Sequence, residues 1–206
     1  MKIDFKKIHK EIYKPKKPSI VKFPSLSYLT LDGEGNPNSE LFSESIGALY
    51  AIAYTISMSY KGDYKIPNFY NFVVPPLEGH WDIIDGDGYD GNKDNLKWKI
   101  MILMPEFVTQ DCFSWAKNKA FEKKKNNLIN EVQLESFKEK ECCVYMHIGP
   151  YDDEPESFKV MSEFVKNEGY QRSELTHREI YLSDFRKTDA DKLKTVLCFE
   201  VEKYKY

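Results

Sequence analysis

The chain reads as an α+β protein, a pseudo-twofold duplication of βαββ units with a central ligand cleft. Three observations carry that reading. Short apolar runs rich in Tyr, Phe, Val and Ile mark strands. Two longer stretches, residues 38–60 and 153–169, hold apolar residues three and four apart and read as amphipathic helices. The order strand, turn with Gly, helix, strand, strand then occurs twice, over residues 20–104 and 139–201. One helix cannot cover a sheet face alone, so two such halves would share a sheet and leave a hollow between them.

Taken in order, residues 1–18 form an N-terminal arm. Lys2, Lys6, Lys7, Lys10, Lys14, Lys16 and Lys17 make it basic, while Phe5, Ile8, Ile12 and Tyr13 lie near helical spacing. That pattern predicts a docked arm with a solvated basic face rather than a binder of anionic surfaces. Residues 19–31 are extended. Pro24 interrupts them, which makes the first part an edge or bulge and 26–31 the true strand. Asp32-Gly33-Glu34-Gly35 predicts a turn. Pro37, Asn38 and Ser39 start a helix whose buried stripe is Phe42, Ile46, Leu49, Ala53, Ile56 and Tyr60, and Lys61-Gly62 stops it. Gly47, Ala48, Ala51 and Ala53 thin its surface for close packing.

Residues 67–74 predict the next strand, meeting Pro75-Pro76-Leu77-Glu78-Gly79 at a turn. The Gly- and Asp-rich tract 85–94 reads as a hairpin loop. It is not a calcium loop, because Tyr89 occupies a ligand position and the terminal Glu is missing. Residues 98–104 are an apolar strand ending at Pro105. Thr109 caps a helix to about Lys125, and residues 126–137 are ambiguous. A strand over 139–148 enters the Gly149-Pro150 turn. Asp153 then caps a helix, with Glu156 completing a capping box and Phe158, Met161, Phe164 and Val165 facing inward. Residues 176–182 and 195–201 are the last strands. We therefore expect one domain over 1–206, with a first βαββ half at 19–108, a helical connection at 109–137 and a second half at 138–206.

The composition narrows the function classes. The chain has 206 residues, 41% hydrophobic, 31% charged and 15% aromatic, with formal net charge −3. Such a balance supplies no global field for nucleic acid. No apolar run is long enough to span a bilayer. Met1 leads into charged residues, so no secretory signal is visible, and four cysteines without metal spacing suit a reduced, cytoplasmic protein. His9, His80, His147 and His177 lack ligand spacing, so no metal is expected. The GxG of residues 33–35 lacks the third glycine and the Lys-Ser/Thr of a phosphate loop, and no cofactor is expected. No Gly-x-Ser-x-Gly or nucleophile–base pair appears.

The residue most open to chemistry is Glu179, inside an aromatic strand. Side chains alternate along a strand, so His177, Glu179 and Tyr181 share one face and Arg178 the other. That face is either the solvated side of an edge strand or a ring-rich hollow, where the carboxylate would attract lipophilic cations or take a proton from water. Glu78 falls at the matching place after the first helix. Trp81, Tyr145, His147, Tyr181 and Trp115 are candidate partners in ligand binding, and Trp98 reads as core.

The run His147-Ile148-Gly149-Pro150-Tyr151-Asp152 resembles the hallmark of the GyrI-like small-molecule-binding family. So do the tracts 177–184 and 192–195. The tracts 13–15, 32–38, 76–79 and 105–109, with Trp98, look like its stand-alone branch. His80-Trp81-Asp82 departs from the more apolar run expected there. The resemblance implies two SHS2-type βαββ modules and a pocket for bulky aromatic, often cationic, compounds. Glu179 would supply the countercharge. It implies, alternatively, a hydrolase that opens cyclopropane-bearing DNA-alkylating compounds, with Glu179 catalytic. No helix-turn-helix domain precedes the module, so it resembles no intact transcriptional activator, and with net charge −3 direct nucleic-acid binding is not expected. Gyrase binding is a weaker reading, because no long acidic tail or partner helix is visible.

Overall fold

The computed structural model describes residues 2–85 and 91–204, which fall into two compact units. Unit 1 comprises 1–5, 25–75 and 83–137, and unit 2 comprises 6–24, 76–82 and 138–206. The units are therefore drawn from interleaved segments rather than from consecutive halves. Residues 86–90 of the expected hairpin loop lie outside the described residues.

Nine strands and five α-helices are described. In the arm, helices α1 (Phe5–Ile8) and α2 (Lys10–Tyr13) form, and α2 buries Ile12 and Tyr13. Pro24 separates two strands, β1 (Ser19–Phe23) and β2 (Leu26–Glu34). β1 belongs to unit 2 and pairs with β6 (Lys140–Ile148).

In unit 1, β2 lies between β4 (Leu96–Met104) and β5 (Gln133–Phe137). Helix α3 (Glu40–Ser57) packs on β2 and β4 and against α4 (Gln110–Lys124). The expected caps form: Ser39 accepts from the Phe42 N–H and Thr109 from the Cys112 N–H. Phe42, Leu49, Ala53 and Ile56 are buried as the spacing predicts, joined by Ala48 and Ile52, but Tyr60 is exposed because the α-helix has given way to a 3-10 turn at Ser59–Lys61. Gly33 is strand rather than turn. The Trp98 ring lies over it, and a Cβ there would fall 2.1 Å from a ring carbon. The chain turns only at Gly35, with φ +94°.

The strand expected over 67–74 does not form. Its only ladder contact is a single parallel bridge between Ile3 and Phe72 among the described residues. Pro67 and Pro75 remove backbone donors, and Asn68 adopts φ +56°. Rings at Phe69, Tyr70 and Phe72 instead pack on Phe107. The strand comes later, as β3 (Glu78–Ile83), where a turn was expected.

Unit 2 orders its strands β1, β6, β9 (Lys194–Lys203), β8 (His177–Tyr181) and β3, with the unanticipated β7 (Tyr170–Arg172) pairing with β9. The pairs β1–β6, β2–β4, β2–β5, β3–β8, β6–β9, β7–β9 and β8–β9 are all antiparallel. Helix α5 (Glu154–Asn167) packs on β6 and β9, burying Met161 and Val165 with Cys143, Leu197 and Phe199. The other face buries Ile12, Tyr13 and Phe23 with Cys142, Val144, Ile180, Val196 and Cys198. The capping box at α5 is absent. Pro150 starts a 3-10 turn over Tyr151–Asp153, leaving Asp153 in helical backbone (φ −94°, ψ −2°), where its side chain makes no cap bond. Among the described residues no helix is long and apolar enough to cross a membrane.

Candidate functional site

The site grows from the ladder between β8 and β3. Gly79 pairs with Glu179 and Trp81 with His177, so these four share one face, while Glu78, His80 and Arg178 share the opposite one. Across β9 the row continues from Glu179 through Leu197 to Tyr145, and the next runs from Tyr181 through Thr195 to His147. Glu179 is thus not on a solvated edge. It is 7% exposed, on a strand flanked by β3 and β9.

Its two oxygens are held separately. The Tyr181 hydroxyl donates to Oε2 at 2.7 Å, and His177 Nε2 lies 2.9 Å from Oε1. Trp81 Nε1 in turn donates to the Tyr181 oxygen at 2.9 Å. Gly79 is what lets this chain pack. A Cβ there would come 2.8 Å from Trp81 Nε1 and 3.0 Å from the Tyr181 oxygen. Burial, then the Glu179 charge, lifts the Tyr181 phenol well above its ordinary value, so it remains a donor. Tyr151 meets the Tyr181 ring edge-on at 6.0 Å, and Phe158 meets His177 at 4.9 Å.

A second carboxyl, Glu154, opens α5 and was not anticipated. It is 6% exposed, and its Oε1 is buried without a hydrogen-bond partner. Burial first, then Glu179 and Asp152, push this carboxyl up to about 10, so it is neutral at physiological pH. A helix start favours negative charge by roughly 0.3–1 kcal/mol. Desolvating a carboxylate costs several kcal/mol, so burial prevails. The Gly149-Pro150 turn followed by an acidic helix start was visible in the sequence. Which acid turns inward depends on the 3-10 entry, and that was not.

The remaining candidates separate. His147 is 5% exposed and committed locally: Nε2 donates to the Pro150 carbonyl at 2.9 Å, and Nδ1 lies 2.9 Å from Ser157 Oγ. The carbonyl can only accept, which assigns the proton to Nε2. His147 thereby ties β6 to the turn that carries Tyr151 and Glu154. Tyr145 shares the Glu179 face two strands away, about 10 Å by strand spacing. Glu78 is fully buried on the opposite face. Arg178 Nε donates to its Oε2 at 2.7 Å and the Arg178 terminal nitrogen bonds the same oxygen, while Tyr13 donates to Oε1 at 3.3 Å. Burial raises the Glu78 carboxyl and Arg178 opposes the rise. Trp115 belongs to unit 1, stacked on Tyr64 at 4.3 Å. Among the described residues no group of three His, Cys, Asp or Glu could hold a metal ion.

The family described as GyrI-like small molecule binding domain matches residues 16–202. The structure of an uncharacterized conserved protein from Listeria innocua is 39% identical, with TM-score 0.92, over 98% of this chain and 100% of that one. A hydrolase from Listeria innocua is 38% identical, with TM-score 0.89, over the same shares of the two chains. The C-terminal domain of EcmrR shares the fold at 13% identity, with TM-score 0.54, over 91% of this chain and 98% of that one. None of the curated proteins compared with the chain matches it.

Proposed function

The chain belongs to the family of GyrI-like small-molecule-binding domains, and from that premise we propose that it binds bulky aromatic compounds of cationic character beside Glu179. The observation that carries this is a buried carboxylate bordered by Trp81, Tyr151, Phe158, His177 and Tyr181. Rings offer their faces to a flat cation, and the carboxylate supplies countercharge where water is scarce. Tyr145 extends the same face, and His147 holds the turn in place. The SHS2-type duplication belongs to the same proposal. Antiparallel pairing of β3 with β8, the first strand after one long helix with a strand after the other, is what a twofold between two βαββ modules would produce. Glu78 then serves as the buried brace of that ladder rather than as a ligand group.

Titration of ethidium and of neutral phenanthridine, followed by fluorescence, tests this. Wild type should prefer the cation. Glu179→Gln should weaken ethidium binding by about tenfold or more, since charge-assisted contacts are worth about 1.5–3 kcal/mol. Equal affinities for both compounds would count against the countercharge role.

A second reading is hydrolysis of a strained, cyclopropane-bearing aromatic electrophile. It is favoured by the full-length likeness to a hydrolase and by the pairing of Glu179 with the protonated Glu154. Glu179 would take a proton from water as the C–O bond forms and the ring C–C bond breaks. The electron pair would pass to the leaving phenolate, protonated by Glu154. Incubation with such an alkylator decides it: ring-opened product in many turnovers supports hydrolysis, and stoichiometric protection alone supports binding.

A further inference from the structure

We propose that Glu154 holds the exchangeable proton of this site: an aromatic cation bound beside Glu179 displaces that proton to solvent, whereas a neutral ligand leaves it in place. The inference rests on the ligand reading above and adds what happens to the second carboxyl.

The geometry distinguishes the two acids. Glu179 already has a partner on each oxygen, His177 on Oε1 and Tyr181 on Oε2. Glu154 is just as buried and shares a side-chain hydrogen bond with Glu179, yet its Oε1 has no hydrogen-bond partner. It is therefore the carboxyl with acceptor capacity to spare, and it faces a negative neighbour that opposes its ionisation. An empty site keeps the proton because ionising Glu154 would put a second buried negative charge beside Glu179. A desolvated cation compensates that charge. The neutral carboxyl then loses its O–H proton to buffer, and the carboxylate left behind pairs with the ligand. Mass and charge balance as one cation in and one proton out.

Facing Glu154 are Glu179 and Tyr181 from β8 and Tyr151 and Asp152 from the turn before α5, while His177 sits on Oε1 of Glu179. Burial and Glu179 hold the Tyr151 phenol up at about 12, and Tyr181 is also raised, so neither exchanges near neutral pH. His177 is the remaining competitor, because its protonated form would repel a cation. A Glu154→Gln variant keeps His177 and isolates its contribution.

The experiment is calorimetric titration of the full chain with ethidium at one pH in phosphate and in Tris, whose ionisation heats differ. Wild type should release about one proton per ethidium, seen as a heat that depends on the buffer. Its affinity should rise by up to tenfold per pH unit between about pH 7 and 9. Glu154→Gln should bind with buffer-independent heat and a flat profile over that range. Ethidium binding by wild type with buffer-independent heat overturns the exchange but leaves the ligand reading intact. Absence of ethidium binding by wild type overturns both. Should the variant fail to fold, the wild-type buffer comparison alone decides.

Discussion

Glu78 and Glu179 are one residue apart in register and opposite in consequence. Each is buried, but Glu78 is matched by Arg178, whose guanidinium also lies over the Phe23 ring at 4.8 Å. Replacing Glu78 with Gln leaves Arg178 without its counterion beneath the arm, and breaking such a buried pair costs about 3–5 kcal/mol. Chemical denaturation should show that loss, while ethidium affinity of the folded protein should stay within about twofold of wild type. A large affinity loss with unchanged stability would place the ligand on the Glu78 face. His80 shares that face, and burial followed by the Arg178 charge lowers its imidazole to about 4. A depressed folded pKa means that its contribution to stability is present above the ordinary value near 6.5 and is lost as pH falls from there towards 4.

At the scale of elements, α5 does two jobs. Met161 and Val165 seal one face of unit 2, while the first residue of the helix turns a carboxyl inward. The second job weakens the fold at high pH. A carboxyl whose folded pKa is raised binds its proton longer in the folded state than in the unfolded one. Stability is therefore full below the unfolded value near 4.5 and falls as pH rises towards about 10. Glu154→Gln removes that dependence. Thermal melts should show the variant close to wild type near pH 4.5 and increasingly more stable than wild type towards pH 8. A constant difference across that range would mean that Glu154 ionises normally when folded.

At the scale of the whole molecule, the chain passes repeatedly between the units. Residues 138–206 hold β6, α5, β7, β8 and β9, but β1 and β3 come from elsewhere in the chain. A fragment of 138–206 therefore has bare edges on β6 and β8 and no α2 over Ile180 and Val196. It should remain unfolded or aggregate, read by far-UV circular dichroism and the absence of a cooperative melt. Independent, cooperative folding of that fragment would show that this half of the chain is a self-sufficient module.

The positions of the long helices, their Ser39 and Thr109 caps, the strands over 98–104 and 139–148, and the placement of Glu179, His177 and Tyr181 on one face were legible in the sequence. Each depends on local rules, namely spacing, side-chain alternation and cap chemistry. Tertiary structure decided what those rules leave open. Prolines at 67 and 75 look compatible with an aromatic strand until the ladder is required to pair, and the strand then moves to Glu78–Ile83. That shift puts Gly79 opposite Glu179 and Trp81 beside Tyr181, contacts made between residues a hundred positions apart. Glu154 turns inward through the 3-10 entry to α5, where the folded surroundings rather than the residue type keep its proton. The face of a side chain is a property of its own strand; its partner and its charge state are properties of whatever the rest of the chain brings against it.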